Sequence, residues 1–349
     1  VELPVDVHFI PEKRRLGAVV RQIRSTLRAY PLMDVAGLFL SNPDNYLIKI
    51  EVRRQQEGKM PLRFYQCPEC SAVYLDAEHL QEHLFARHME DLFDTVVTEG
   101  APPTGSFVCV GRCGMSGDLL GPPNYHGFEE AIRQLHHTRF SHLTYDEYRG
   151  RVEMVHDPEV VEQWKQQASR QVRYKLKGDE QAEELTWSQA ETVFAQQLAP
   201  KFIHGTTRVM VPAGAGRELG EMPVKQAMRR AWTRESHHPF TLSIALRPAF
   251  KHMGLHLFKA GEGITFVTAV KPNPIDPSHA VENIREALEY LQEHPGCTRR
   301  EMAEGLRPKV SGEEQLAEMM KPLRWLIERG HVIEFFNGTL SVPKSKTKV

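Results

Sequence analysis

Apolar positions along this chain change period several times, and each change marks an element. Residues 5–10, VDVHFI, alternate and are rich in β-branched and aromatic side chains, which predicts a first strand. Across 13–30 the period becomes helical, with Leu16, Val19, Val20, Ile23 and Leu27 on one stripe. Arg14, Arg21, Arg24 and Arg28 share another face, and no acid lies between Lys13 and Arg28. Such a face is either a solvated surface or a phosphate-contacting ridge. Residues 46–54 and 62–66 read as strands, so 1–66 is expected to form a small α/β module packed on the segment after it.

Helices are expected over about 127–142 and 144–175, the second broken near Asp157 and Pro158, and 175–184 reads as a linker. A helix at 186–198, a short strand at 208–211 and a basic helix at 224–232 follow. Residues 240–253 stay open between a helix kinked at Pro248 and partial strand, and 255–270 read as a hairpin. The last part predicts helices at 280–292, 298–306 and 313–329, then a hairpin turning at Asn337 and Gly338.

Residues 67–88 read CPECSAVYLDAEHLQEHLFARH, a C-x2-C-x12-H-x4-H skeleton. Thiolates of Cys67 and Cys70 on a tight knuckle, with His83 and His88 on a helix, make a tetrahedral donor set for zinc. Tyr74 and Leu80 sit where a short ββα unit needs its core. The stretch resembles the two-Cys, two-His zinc finger family, over these residues only. The resemblance implies base reading from helix positions −1, 3 and 6, here Asp76, His79 and Glu82, with Glu78 at position 2. Three of those four are acidic and would repel phosphate, and no second copy of the pattern follows. The finger is therefore expected to act as a structural staple or a protein contact rather than a DNA reader.

Cys109 and Cys113 form a C-x3-C pair followed by glycine, which resembles a second zinc knuckle. Candidate partners are His126, His136, His137 and His142, of which His137 and His142 repeat the H-x4-H spacing. Cys109, Cys113, His137 and His142 are thus the expected second zinc set. The alternative is two small buried cysteines and exposed histidines. Four of the five cysteines lie in close pairs near histidines, which suits a reducing compartment with metal sites, and the cytoplasm is expected.

A length of 349 residues, 41% hydrophobic and 26% charged, bounds two to four soluble domains. No apolar run approaches a membrane span and no signal peptide is visible, so no membrane partner is expected. The net charge of −1 hides a sorting: +4 over 1–66, −7 over 67–126, −4 over 127–200, +7 over 201–271 and −1 over 272–349. In the second basic block Lys225, Arg229, Arg230, Arg234, Arg247 and Lys251 are interleaved with Trp232, Phe240 and Phe250. That mixture suits duplex phosphates or stacked single-stranded bases, or else an ordinary cationic surface over an aromatic core.

Residues 278–343 resemble a winged-helix domain, and 184–271 have a related element order. The 313–329 helix, in the recognition position, has mixed charge that suits protein contact better than DNA. Gly214, Gly216 and Gly220 echo a dinucleotide loop without a βαβ setting, and neither a phosphate loop nor HExxH occurs. The expected fold is α+β and multidomain. A zinc-stapled N-terminal module (1–66) carries a ββα finger (67–98). A helical middle with the second knuckle (99–175) follows, then basic winged-helix-like (184–271) and winged-helix (278–343) units and a basic tail (344–349). The expected function is a zinc-containing, regulatory nucleic-acid-binding protein, for DNA or RNA, with enzyme activity left open. A protein–protein adaptor using finger and wings as scaffold is the alternative, and a zinc-dependent hydrolase a weaker third.

Overall fold

The computed structural model describes residues 2–53, 62–140, 143–178, 182–214, 220–306 and 320–344. Helix and sheet are mixed, and the chain forms two compact units, each assembled from separate stretches: 1–7 with 49–229, and 8–48 with 230–349. The chain passes from one to the other within the strands Val5–Pro11 and Tyr46–Val52 and within the helix Met222–His237. The expected 1–66 module is therefore divided, and residues 8–48 fold with the C-terminal part instead of with the finger. No helix among the described residues is long and apolar enough to cross a membrane.

In the first unit the strand Phe64–Gln66 pairs antiparallel with Val73–Tyr74 on one side and with Gly205–Thr206 on the other. The knuckle between the first two is closed by the Ser71 N–H donating to the Cys67 carbonyl and the Cys67 N–H to the Ala72 carbonyl. The helix Ala77–Leu92 follows, capped by the Asp76 carboxylate, which accepts from the Glu78 N–H. Tyr74, Leu80, Leu84 and Phe85 are buried together. This core is not confined to the finger, because Phe85 meets Trp187 at 4.9 Å, Phe194 at 5.5 Å and Phe93 at 6.2 Å. Burying a Phe is worth about 1.5–3 kcal/mol, so residues far downstream anchor the finger helix.

The stretch expected as a helical middle holds strands as well. Phe93–Glu99 pairs along its length with Arg170–Leu176, and Val110–Cys113 lies between Leu119–Gly121 and Val152–Val155. The expected linker at 175–184 begins inside one of these strands, and 179–181 fall outside the described residues. Cross-strand partners, which no local pattern shows, explain the difference.

The second unit begins with the arginine-rich helix Lys13–Thr26, which buries Val20 and Ile23. Residues 240–253 resolve as helix, Phe240–His252, with Pro248 inside it. The buried Glu235 carboxylate accepts the Leu242 N–H at 2.8 Å and fastens this helix to the preceding one. The half-buried Trp232 stacks on Tyr46 at 5.7 Å and lies 6.0 Å from Phe9, so it packs against the core. The expected hairpin forms from His256–Ala260 and Ile264–Thr268, and Tyr30–Pro31 adds a third strand. Beyond it, the helices Glu282–Glu293, Arg299–Leu306 and Lys321–Glu328 share one core. Residues 313–319 of the expected third helix lie outside the described residues. The hairpin Ile333–Glu334 with Leu340–Ser341 closes the chain through Gly338, whose φ of +83° demands glycine. Thr298 bridges to Thr339, and Ala29 bridges to Phe335. Residues 29–31 thereby stitch the two hairpins of this unit together.

Candidate metal centre and nucleic-acid interface

The knuckle and the finger helix bring three donors together. Cys67 Sγ, Cys70 Sγ and a His83 ring nitrogen all lie within 4.8 Å of one another, with Cys70 Sγ 3.3 Å from His83 Nε2. Ligands of one tetrahedral zinc sit about 3.5 Å apart, so the group has the right size, and two sulfurs with one imidazole are the right donors. A hydrogen bond from Cys70 holds the Cys67 thiol down to about 3 against the effect of burial, while that contact and burial push Cys70 up.

His88, the expected fourth ligand, is placed elsewhere. Its Nε2 lies 3.1 Å from Glu69 and its Nδ1 3.8 Å from Asp91. On an unbroken helix a five-residue step turns about 140° around the axis, which carries His88 off the face that presents His83. The helix positions that would read bases are also occupied. Asp76 caps the helix, His79 Nδ1 sits 2.7 Å from Glu221, and Glu82 lies 3.4 Å from His137 Nε2. Glu221 was not legible as a partner. Its backbone N–H donates to the Val73 carbonyl, and the approach requires Gly220, where a Cβ would lie 2.4 Å from that carbonyl oxygen. Close packing thus accounts for the last glycine of the dinucleotide-like pattern.

The expected second knuckle is not assembled among the described residues. Cys113 is fully buried with Phe128, Ile132 and Tyr148, and His137 faces Glu82 of the finger helix. The backbone from Val110 to Cys113 is strand, and an extended run of four residues spans about 13 Å, too long for Cys109 and Cys113 to share one ion. His142 lies outside the described residues. His137 and Glu82 instead line a cavity of about 560 Å³ with His79, His83 and Glu221.

The ten expected phosphate-contacting cations separate into two groups. Arg24 donates to the Met253 carbonyl, and Arg28 lies 3.0 Å from Glu334, a carboxylate 2% exposed that Arg299 also grips at 2.5 Å. Lys225 is buried, at 6% exposure. Lys225 is thus withdrawn from the surface, and the Arg28 guanidinium, still partly exposed, is engaged by a buried carboxylate. Arg229 is exposed but engaged within the fold. Arg14, Arg21, Arg230, Arg234, Arg247 and Lys251 are exposed, and none ion-pairs among the described residues. All six belong to the second unit, which holds 23 Lys/Arg against 17 Asp/Glu, whereas the first holds 21 against 28.

Comparison with protein-family models, with curated proteins and with solved structures finds no match to this chain.

Proposed function

We propose that this chain is a nucleic-acid-binding protein, for DNA or RNA, whose cationic second unit makes the contact and whose first unit is a metal-stapled support. The observation that carries the reading is the set of exposed cations without an ion pair among the described residues, Arg14, Arg21, Arg230, Arg234, Arg247 and Lys251, gathered in one compact unit. Phosphate neutralisation by such cations drives sequence-independent affinity and makes it steeply salt-dependent. Cys67, Cys70 and His83 are the residues that would hold zinc, and zinc there would tie the knuckle to its helix. The winged-helix resemblance of 278–343 is supported by three helices, the Thr298–Thr339 bridge and the terminal hairpin.

The test is retention of the full chain on a mixed polynucleotide column over a salt gradient. Charge reversal of Arg230, Arg234 and Arg247 together is expected to lower the salt slope by about 1 per cation removed. Retention that ignores these substitutions would overturn the reading. A second reading, a scaffold for protein partners, is favoured by Trp325 and Phe336, which stand 39% and 45% exposed on the last helix and hairpin. It predicts a co-purifying protein and no salt-dependent retention.

A further inference from the structure

The second unit contains a groove of about 990 Å³ between its two hairpins. Lys251, Lys259, Lys271 and Lys344 line it, together with the half-buried Phe258 and Phe335. Among the described residues no Asp or Glu lines it, although charged residues of both signs are common in this chain. The four lysines are exposed and make no ion pair among the described residues.

We propose that this groove seats single-stranded nucleic acid, with phosphates on the lysines and bases over the phenylalanine rings. The inference rests on the nucleic-acid reading and adds the strand state and the place. Two features favour a single strand over a duplex. A duplex hides its base faces and offers only phosphates and groove edges, which aromatic rings do not recognise. A single strand offers both a phosphate track and planar apolar faces, and groove-lining lysines with aromatics match that pair. An acidic peptide would satisfy the lysines and leave the rings without a planar partner.

The rings are held in place from behind. Phe258 stacks on Phe266 at 5.7 Å, and Phe335 meets Phe266 edge-on at 4.9 Å. One wall is fixed as well: the Asn273 N–H donates to the Gly330 carbonyl at 2.8 Å, and His331 Nδ1 lies 2.7 Å from the Asn273 carbonyl oxygen. Those ties set the backbone next to Lys271. A pre-set wall and pre-set rings lower the ordering cost of binding.

The test uses the full chain and fluorescently labelled probes at low salt: an oligo(dT) and an oligo(U) of the same length, a duplex of that length, and a poly-glutamate peptide. Either single strand is expected to bind at least tenfold tighter than the duplex and the peptide. The pair Lys259→Glu with Lys271→Glu is expected to lower single-strand affinity and its salt slope by about 2. Phe258→Leu keeps an apolar side chain, and its expected loss is about tenfold for single strands, with little change for the peptide. Circular dichroism of each variant confirms that it folds, and a misfolded Phe258 variant leaves the lysine pair to decide. Tighter binding of the duplex or the peptide overturns the proposal, as does indifference to the lysine pair. If the lysine pair has no effect while reversal of Arg230, Arg234 and Arg247 abolishes polynucleotide retention, the groove is wrong and the broader reading stands. If no probe and no polynucleotide column retains the chain, both fall.

Discussion

The two units treat charge in opposite ways. In the first, many of the described cations are matched, among them Arg53 with Asp6, Arg87 with Glu69, Arg112 with Glu153, Arg139 with Asp118 and Arg149 with Glu129. In the second, the ion pairs among the described residues gather on Glu334 and along the helices near the C-terminus, at Arg300 with Glu304 and Arg324 with Glu328. The helices Lys13–Thr26 and Phe240–His252 keep most of their cations unmatched. Exposed pairs contribute roughly 0–1 kcal/mol each, so pairing is a weak stabiliser of the first unit. Its greater consequence is local, because each paired cation is offset by its own acid within a unit of net negative charge, whereas the unmatched cations of the second leave a positive potential in solution.

The comparison can be broken most severely at Cys67, Cys70 and His83, the group that could hold a metal ion. Chelation, or Cys67→Ser, is expected to accelerate amide hydrogen exchange of residues 64–92 on the order of a hundredfold, because binding energy at such a site is folding energy. Residues 240–268 should change little, and equal acceleration in both would show that the metal does not serve the first unit alone. His88→Ala should leave metal content per chain unchanged, where His83→Ala lowers it. Next in size is Glu334→Ala, which removes a buried carboxylate shared by Arg28 and Arg299. The expected loss is about 2 kcal/mol in urea unfolding, below the usual cost of breaking a buried pair because both guanidinium groups keep water.

Smaller effects sharpen the contrast. Reversing Arg112 and Arg149, both paired in the first unit, should leave polynucleotide retention within about twofold, since their field is already cancelled by acids. The same number of reversals at Arg230 and Arg247 should lower it clearly. Last comes the tie between His79 and Glu221. Burial opposes the charged imidazole, but the Glu221 carboxylate outweighs it and raises the His79 pKa. The tie is therefore fully present below the ordinary histidine pKa of about 6.5 and is lost as pH rises through the raised value. A thermal melt should fall slightly, by less than about 1 kcal/mol of stability, as pH climbs from below 6.5 to 8, and His79→Gln should remove that slope.

Much of the metal group was legible because its spacing is local. A two-residue knuckle and one helical turn suffice to place Cys67, Cys70 and His83, and Tyr74 and Leu80 marked the core beside them. At Cys109 and Cys113 a similarly short spacing falls next to and on a strand that draws it out, which local spacing does not announce. Arg28 looked like its neighbours on the arginine face, and nothing within 13–30 announces Glu334. The hairpins at 256–268 and 333–341 were legible from alternation and turn residues, but their connection through 29–31 was not.

The chain's own order of residues determined the elements, the thiol–imidazole cluster and the sorting of charge into blocks, because helical period, turn chemistry and short ligand spacings act over a few residues. Tertiary structure alone decided that the basic stretches at 8–48 and 230–271 would share one unit, and which of their cations would stay free. It also buried the inner face of the helix Ala77–Leu92 on Trp187 and Phe194 and turned its outer positions toward Glu221 and His137. Those outcomes depend on apolar burial and charge pairing between residues far apart in the chain, and contacts of that kind leave no period or spacing to read.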